Sequence, residues 1–79
     1  MAEVTFINTV SEINKIVPHL LKLPERKMWI DYDQETDVLY VSFRRPQRAS
    51  DSEMLENGIL LRYRGEDLVG MTIMDASKR

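Results

Sequence analysis

The spacing of apolar residues changes at Pro24, and this change constrains the fold more than any other feature of the sequence. Before Pro24, apolar residues recur every three or four positions, which is typical of one face of a helix. These residues are Val10, Ile13, Ile16, Val17, Leu20, Leu21 and Leu23. After Lys27, short apolar runs are separated by polar turns, as in strands. The sequence therefore predicts a helical segment over residues 1–27 and a β-sheet domain over residues 28–79, together forming one globular domain.

Two features predict the limits of the helix. Thr9 and Glu12 have the spacing of a capping box, in which each side chain bonds a free backbone N–H of the first turn. Pro18 removes one helical hydrogen bond and crowds the preceding turn, so we expect a kink or a break there. Pro24 ends the element. The helix is thus expected to begin near Thr9.

The second part of the chain predicts about four strands in two hairpins. They cover residues 28–33, 38–44, 58–64 and 68–75. The loops within each hairpin are short and polar, which requires antiparallel neighbours. Residues 52–56 are expected to form a short edge strand or a bend, and Gly70 inside a strand indicates a bulge or a close contact. The fold class is therefore α+β, an antiparallel sheet with an N-terminal helix kinked or broken at Pro18.

The predicted sheet carries apolar residues on both faces. In the second strand, Val38 and Tyr40 point to one face while Leu39 and Val41 point to the other. One short helix can cover only one face, and a domain below about 80 residues has a marginal core. We therefore expect a homodimer or a stable complex with a small protein partner. The sequence leaves open whether the helix packs on its own sheet or exchanges between subunits.

The composition limits the remaining possibilities. The 79 residues include 11 basic and 13 acidic side chains, a net charge of −2, and no cysteine. Disulfides and thiolate chemistry are thereby excluded, and near-neutral charge argues against a nucleic-acid partner. No apolar run approaches the roughly 18 residues that span a bilayer, and the start of the chain lacks the positive charge of a secretory signal. We expect a cytoplasmic protein that does not bind membranes and carries no cofactor.

Four segments of the sheet region together resemble the signature of a small prokaryotic family, domain-of-unknown-function family 2283. They are Asp31–Phe43, Asp51–Glu53, Gly58–Leu61 and Val69–Ser77. The resemblance covers roughly residues 28–79, while the N-terminal segment departs from shorter members. The family carries no established activity. Because some relatives are thought to be encoded beside small toxin-like proteins, the resemblance implies an antitoxin-like role.

The acidic residues Asp31, Asp33 and Asp37 form the first candidate interaction site. Together with Glu35 they occupy every second position, as in a calcium loop, but the glycine and the bidentate glutamate of an EF-hand are missing at the required positions. A solvated hairpin turn explains them better, since aspartate also bonds its own backbone in turns. Asp31 is expected to pair with an arginine such as Arg62 across the sheet. The alternative function is a small-molecule-binding or enzymatic domain built on these carboxylates.

The arginines Arg44, Arg45 and Arg48 form the second candidate interaction site. A loop with three guanidinium groups suits phosphate or carboxylate ligands, including RNA. The acidic residues that follow, Asp51 and Glu53, reduce the local field. A charged connection that protects a sheet edge is therefore favoured. No arrangement of residues indicates a catalytic site or a metal site, so the sequence favours a non-catalytic protein-interaction or assembly module.

Overall fold

The protein is an α+β structure with one long helix and one antiparallel sheet. The computed structural model describes the backbone of residues 2–79 and the side chains of residues 6–79; Met1 lies outside the described residues. The elements are α1 (Ala2–Leu20), β1 (Trp29–Asp33), β2 (Val38–Ser42), β3 (Asp51–Met54), β4 (Ile59–Arg64), β5 (Asp67–Ile73) and a 3-10 helix (Ala76–Lys78). The strand order across the sheet is β1-β2-β5-β4-β3. The antiparallel α+β prediction is confirmed, and the count of four strands is wrong.

The fifth strand is β3, at the edge of the sheet. It pairs with β4, with Ser52 opposite Arg62 and Met54 opposite Leu60. Its sequence is polar except for Met54, and all four of its residues are exposed. The strand is therefore held by backbone hydrogen bonds to β4 rather than by burial of its side chains. For this reason the apolar pattern of the sequence did not distinguish an edge strand from a bend over residues 52–56.

Helix α1 begins earlier than the capping pattern indicated. Its first residue is Ala2, so Thr9 lies inside the helix and the predicted N-cap is wrong. The helical spacing of apolar residues continues for one further turn before Val10, to Phe6 and Ile7. The helix continues through Pro18 to Leu20 without a break, and a kink at Pro18 stays a prediction.

The hairpin between β1 and β2 forms as predicted. Asp33 Oδ1 accepts hydrogen bonds from the backbone N–H of Glu35 at 3.1 Å and of Thr36 at 3.4 Å, which stabilise the turn. Asp37 then adopts a left-handed conformation with φ 56°. Aspartate tolerates this conformation better than most residues, because its short polar side chain bonds locally.

A bulge in β5 changes which residues share a face. Arg62 lies opposite Gly70, but Tyr63 lies opposite Leu68, so Val69 is the extra residue. Simple alternation places Leu68 on the face opposite Met71. The bulge instead brings Leu68 to the side of Tyr63 and Leu61, which is the side of Met71. The bulge indicated by Gly70 is present, and it reverses the face that simple alternation gives to Leu68.

The two faces of the sheet differ in character, because residues directly opposite each other on neighbouring strands point to the same side. On β1, β2, β4 and β5 one side, the apolar face, presents Ile30, Tyr32, Leu39, Val41, Ile59, Leu61, Tyr63, Leu68, Met71 and Ile73, together with Phe43 directly after β2. The other side, the mixed face, includes Trp29, Asp31, Val38, Tyr40, Ser42, Leu60, Arg62 and Thr72. The expectation of two apolar faces therefore holds for one face only.

The interior of this sheet is small. Among the described side chains, the buried hydrophobic residues are Val41, Phe43 and Val69. Thr72 is the buried polar residue, at 8% exposure. The rest of the apolar face is half-buried or exposed. A core of this size leaves much of the apolar surface without a partner inside the chain.

Candidate protein-interaction surface

Helix α1 presents a wide apolar surface to solvent. At about 100° per residue, its apolar side chains occupy about half of the helix circumference. This helix stripe consists of Phe6, Ile7, Val10, Ile13, Ile16, Val17 and Leu20. Phe6 and Val10 are each 68% exposed and Ile13 is 54% exposed. A stripe of this width is typical of a helix packed against a larger apolar surface.

The opposite side of the helix is polar. It carries Asn8, Ser11, Glu12, Lys15 and His19. Lys15 Nζ donates to Glu12 Oε1 at 3.1 Å, and both side chains are largely exposed. This separation of polar and apolar sides defines which side of the helix is suited to contact a partner.

The apolar face of the sheet is also incompletely covered. On the edge strand β1, Ile30 is 55% and Tyr32 50% exposed. On the inner strands, Leu39 and Ile73 are half-buried. This end of the apolar face lies beside the β1–β2 turn. Like the helix stripe, it presents exposed aliphatic and aromatic side chains.

The linker between the helix and the sheet covers the other end of the apolar face. Leu23 and Pro24 line a cavity of about 230 Å³ together with Phe43, Leu68 and Met71. The segment therefore contacts the sheet directly after the helix ends. This contact sets the place from which the helix leaves the sheet.

An ion pair also holds the linker. Arg44 Nη1 donates to Glu25 Oε2 at 3.0 Å and to the carbonyl oxygen of Phe43 at 2.9 Å. Both charged side chains are partly exposed, so the pair contributes modestly to stability. Its geometric effect is to tie the linker to the end of β2.

The candidate acidic residues have separate positions in the structure. Asp33 and Asp37 lie in the same turn, where Asp33 accepts backbone hydrogen bonds. Asp31 lies on the mixed face opposite Tyr40. It does not lie beside Arg62, because β2 and β5 separate their strands, a distance of about 14 Å at the usual strand spacing. The expected pairing of Asp31 with Arg62 is therefore wrong.

Asp37 connects the β1–β2 turn to the C-terminal 3-10 helix. Its Oδ1 accepts from the Tyr32 hydroxyl at 2.7 Å and from the Ser77 backbone N–H at 3.0 Å. Its Oδ2 accepts from Ser77 Oγ at 2.7 Å, and its carbonyl oxygen accepts from the Ala76 N–H. We call these contacts the Asp37 clamp.

The clamp favours the charged form of Asp37. The hydrogen bond from the Tyr32 hydroxyl, followed by that from the Ser77 hydroxyl, holds the pKa of the Asp37 carboxyl below its usual value. The same bond raises the pKa of Tyr32, because it stabilises the protonated phenol. Asp37 thus acts as an acceptor within the fold.

In the described part of the chain, no three His, Cys, Asp or Glu residues are grouped so that they could hold a metal ion.

The candidate arginines lie at the other end of β2 and in the connection to β3. The Arg45 guanidinium lies 6.0 Å from the centre of the Trp29 ring, a cation–π distance. Arg44 binds Glu25 as described above. Arg48 is exposed, and its carbonyl oxygen accepts from Arg64 at 3.5 Å. The arginines and the Asp37 clamp are separated by the length of β2, so one chain does not combine them into a single site.

Two residues have roles that the sequence pattern did not indicate. Gln47 Nε2 donates to Ser42 Oγ at 2.9 Å and lies directly over Gly70 on the mixed face. Ser77 completes the Asp37 clamp from a position 40 residues along the chain. The approach of Gln47 to Gly70 and the bonds of Ser77 to Asp37 both join distant parts of the sequence. Only the D-A-S end of the family-like motif, which includes Ser77, could have indicated one of them.

The fold and the surface define a small α+β protein with an exposed apolar helix and an incompletely covered sheet. The family of proteins of unknown function DUF2283 matches residues 29–77. The chain belongs to this family, which confirms the resemblance seen in the sequence. No curated protein and no solved structure matches the chain. Within the described residues, no helix is long and apolar enough to cross a membrane.

Proposed function

We propose that the chain is a non-catalytic protein-interaction or assembly module that acts in the cytoplasm. The observation that carries the proposal is the exposure of the helix stripe. Every residue from Phe6 to His19 is exposed, although half of the helix surface is apolar. Contiguous apolar surface of this kind marks protein–protein contact sites.

The energetics of the helix support the same proposal. In proteins most helical stability comes from packing of the apolar side, and in α1 this side is exposed from Phe6 to Val17. Burial of one Ile or Val side chain contributes about 1.5–3 kcal/mol. A partner that covers the helix stripe therefore supplies stabilisation that the chain alone lacks.

The partner class is a homodimer mate or a small protein. An antitoxin-like role is one form of this proposal, in which the helix stripe covers a partner protein. The contacts of Asp33 and Asp37 support this class over a ligand site, because their carboxylate oxygens already accept hydrogen bonds within the fold. The exposed apolar surface carries the proposal in either form.

Native mass spectrometry of the full chain, with one matched pair of variants, tests this proposal. Ile7→Asp places a charge in the helix stripe, where the side chain is 67% exposed. We expect it to weaken association by more than about tenfold, because a charge cannot be buried there without a partner. Lys15→Glu changes a charge on the polar side and is expected to leave association unchanged. A wild-type chain that is monomeric at high micromolar concentration would contradict the homodimer form of the proposal.

A further inference from the structure

We propose that the helix stripe of one copy lies across the apolar face of a second copy, in a reciprocal helix-exchanged dimer. This inference rests on the proposed function and commits it to one partner, the chain itself. It also commits to one contact, helix against sheet. Four observations support it, and each concerns a different property of the described chain.

The first observation is the accessible surface of the chain. It measures 6704 Å², whereas a folded monomer of this mass is expected to expose about 5,000 Å². The excess is about 1,700 Å² per chain, or about 3,400 Å² for two copies. Obligate homodimers bury roughly 2,000–5,000 Å² in total. The uncovered surface is therefore of the size that a stable dimer needs.

The second observation is the position of charge on the apolar face. Within the five strands, the charged side chains on this face are Asp51 and Glu53, both on the edge strand β3. The strands β1, β2, β5 and β4 present apolar residues there. A helix is about 10 Å wide and covers two to three strands. It can thus lie over this apolar area and leave β3 in water.

The third observation is the width of the helix stripe. A two-stranded coiled coil buries a narrow seam, two positions in seven. In α1, the residues Phe6, Val10, Ile13, Val17 and Leu20 provide such a seam, but Ile7 and Ile16 lie on either side of it. A helix pair alone would leave these two side chains in water. A sheet surface accommodates the full width.

The fourth observation is the direction in which the helix leaves the sheet. The N–H groups of Leu21, Lys22 and Leu23 donate to Val17, His19 and Leu20, so the chain keeps winding up to the linker. The molecule extends 45 Å along its longest axis and 28 Å and 23 Å along the others. Together with the exposure of the helix stripe, this elongated shape indicates that the helix does not pack on its own apolar face.

Reciprocal exchange is the symmetric arrangement of these parts. In a two-fold dimer each copy gives its helix and receives the other, so both helix stripes and both apolar faces are covered at once. The covered area lies at the β1–β2 end of the apolar face. The linker of the receiving copy already occupies the opposite end.

Disulfide trapping between mixed copies tests the contact directly, because the chain has no cysteine of its own. One full-length copy carries Ile7→Cys, Val10→Cys or Ile13→Cys in the helix stripe. The other copy carries Ile30→Cys on the apolar face and a mass tag. Controls carry Ser11→Cys or Lys15→Cys on the polar side of the helix. Circular dichroism verifies that each variant is folded.

We expect at least one stripe variant to form a disulfide with the tagged sheet variant, at a rate at least about tenfold above both controls. A disulfide inside one doubly substituted chain at low concentration, with none between mixed copies, would show a helix packed on its own sheet and overturn the inference. Stripe-to-stripe disulfides alone would also overturn it, while leaving the proposed function intact. A monomer in native mass spectra of the purified chain would overturn the inference and the homodimer form of the proposed function.

Discussion

At the scale of single residues, the hydrogen bonds of Asp37 explain why an aspartate occupies this position of the acidic turn. Its side chain accepts hydrogen bonds from Tyr32 and Ser77, which lie in the first hairpin and in the 3-10 helix. Each donor is neutral, so the charge of the carboxylate strengthens every bond. The acidic spacing that resembles a calcium loop is therefore used to join two distant parts of the chain.

The lowered pKa of Asp37 predicts a loss of stability in acid. The carboxyl titrates below its usual value of 3.8 in the folded chain, so folding favours the charged form. This contribution is complete above the unfolded pKa and is lost as the pH falls through the lower folded pKa. We expect the urea midpoint to fall more steeply below about pH 4 in the wild type than in Asp37→Asn.

The matched control for this prediction is Glu35→Gln, an exposed carboxylate in the same turn. It is expected to keep the wild-type dependence on pH. Urea titrations at pH 7 and pH 3 provide the comparison. An Asp37→Asn variant that loses as much stability in acid as the wild type would show that the clamp does not contribute through charge.

At the scale of elements, the sequence predicted what local patterning controls. The hairpin of β1 and β2 follows from apolar strands that flank a short polar turn. Strand β3 carries almost no apolar pattern, so its existence depends on the free edge of β4. The helix start was misplaced because Thr9 has good capping chemistry, whereas the helical spacing of apolar residues continues back to Phe6 and Ile7. Contacts between segments that are distant in sequence could not be predicted from the local spacing of residues.

The contact between Gln47 and Gly70 is such a long-range feature, and it gives a prediction. A β-carbon at Gly70 would collide with the Gln47 amide and would lie 2.9 Å from the Val41 carbonyl oxygen. We expect Gly70→Ala to lower the free energy of unfolding by about 1–3 kcal/mol, as overpacking does.

A double-mutant cycle separates the two collisions. Gln47→Ala removes the flexible obstacle but leaves the Val41 backbone in place. The cost of Gly70→Ala should therefore be smaller in the Gln47→Ala background and should remain above zero. Urea unfolding of the four proteins measures the coupling. Equal costs in both backgrounds would show that the Gln47 side chain moves aside freely.

At the scale of the whole molecule, the sequence predicted an uncovered apolar surface but not where it lies. Apolar residues on two sides of the sheet suggested an uncovered face. The structure shows a mixed face partly covered by Gln47, and an apolar face beside a helix that does not pack on it. Spacing along the chain identifies an apolar stripe, but it does not tell which surface the stripe contacts. That depends on the linker, whose ion pair and cavity contacts involve residues far away in sequence.

A dimer held by exchanged helices predicts that thermal stability depends on protein concentration. Because dissociation and unfolding are coupled when the monomer has a small core, the Tm should rise as the concentration rises. Calorimetry from low to high micromolar concentration should show an increase of several degrees for the wild type and for Lys15→Glu. Ile7→Asp should have a lower Tm with little dependence on concentration. A wild-type Tm that is constant over this range would mean that the monomer is stable by itself. The three hydrophobic side chains that are buried among residues 6–79 do not explain such stability.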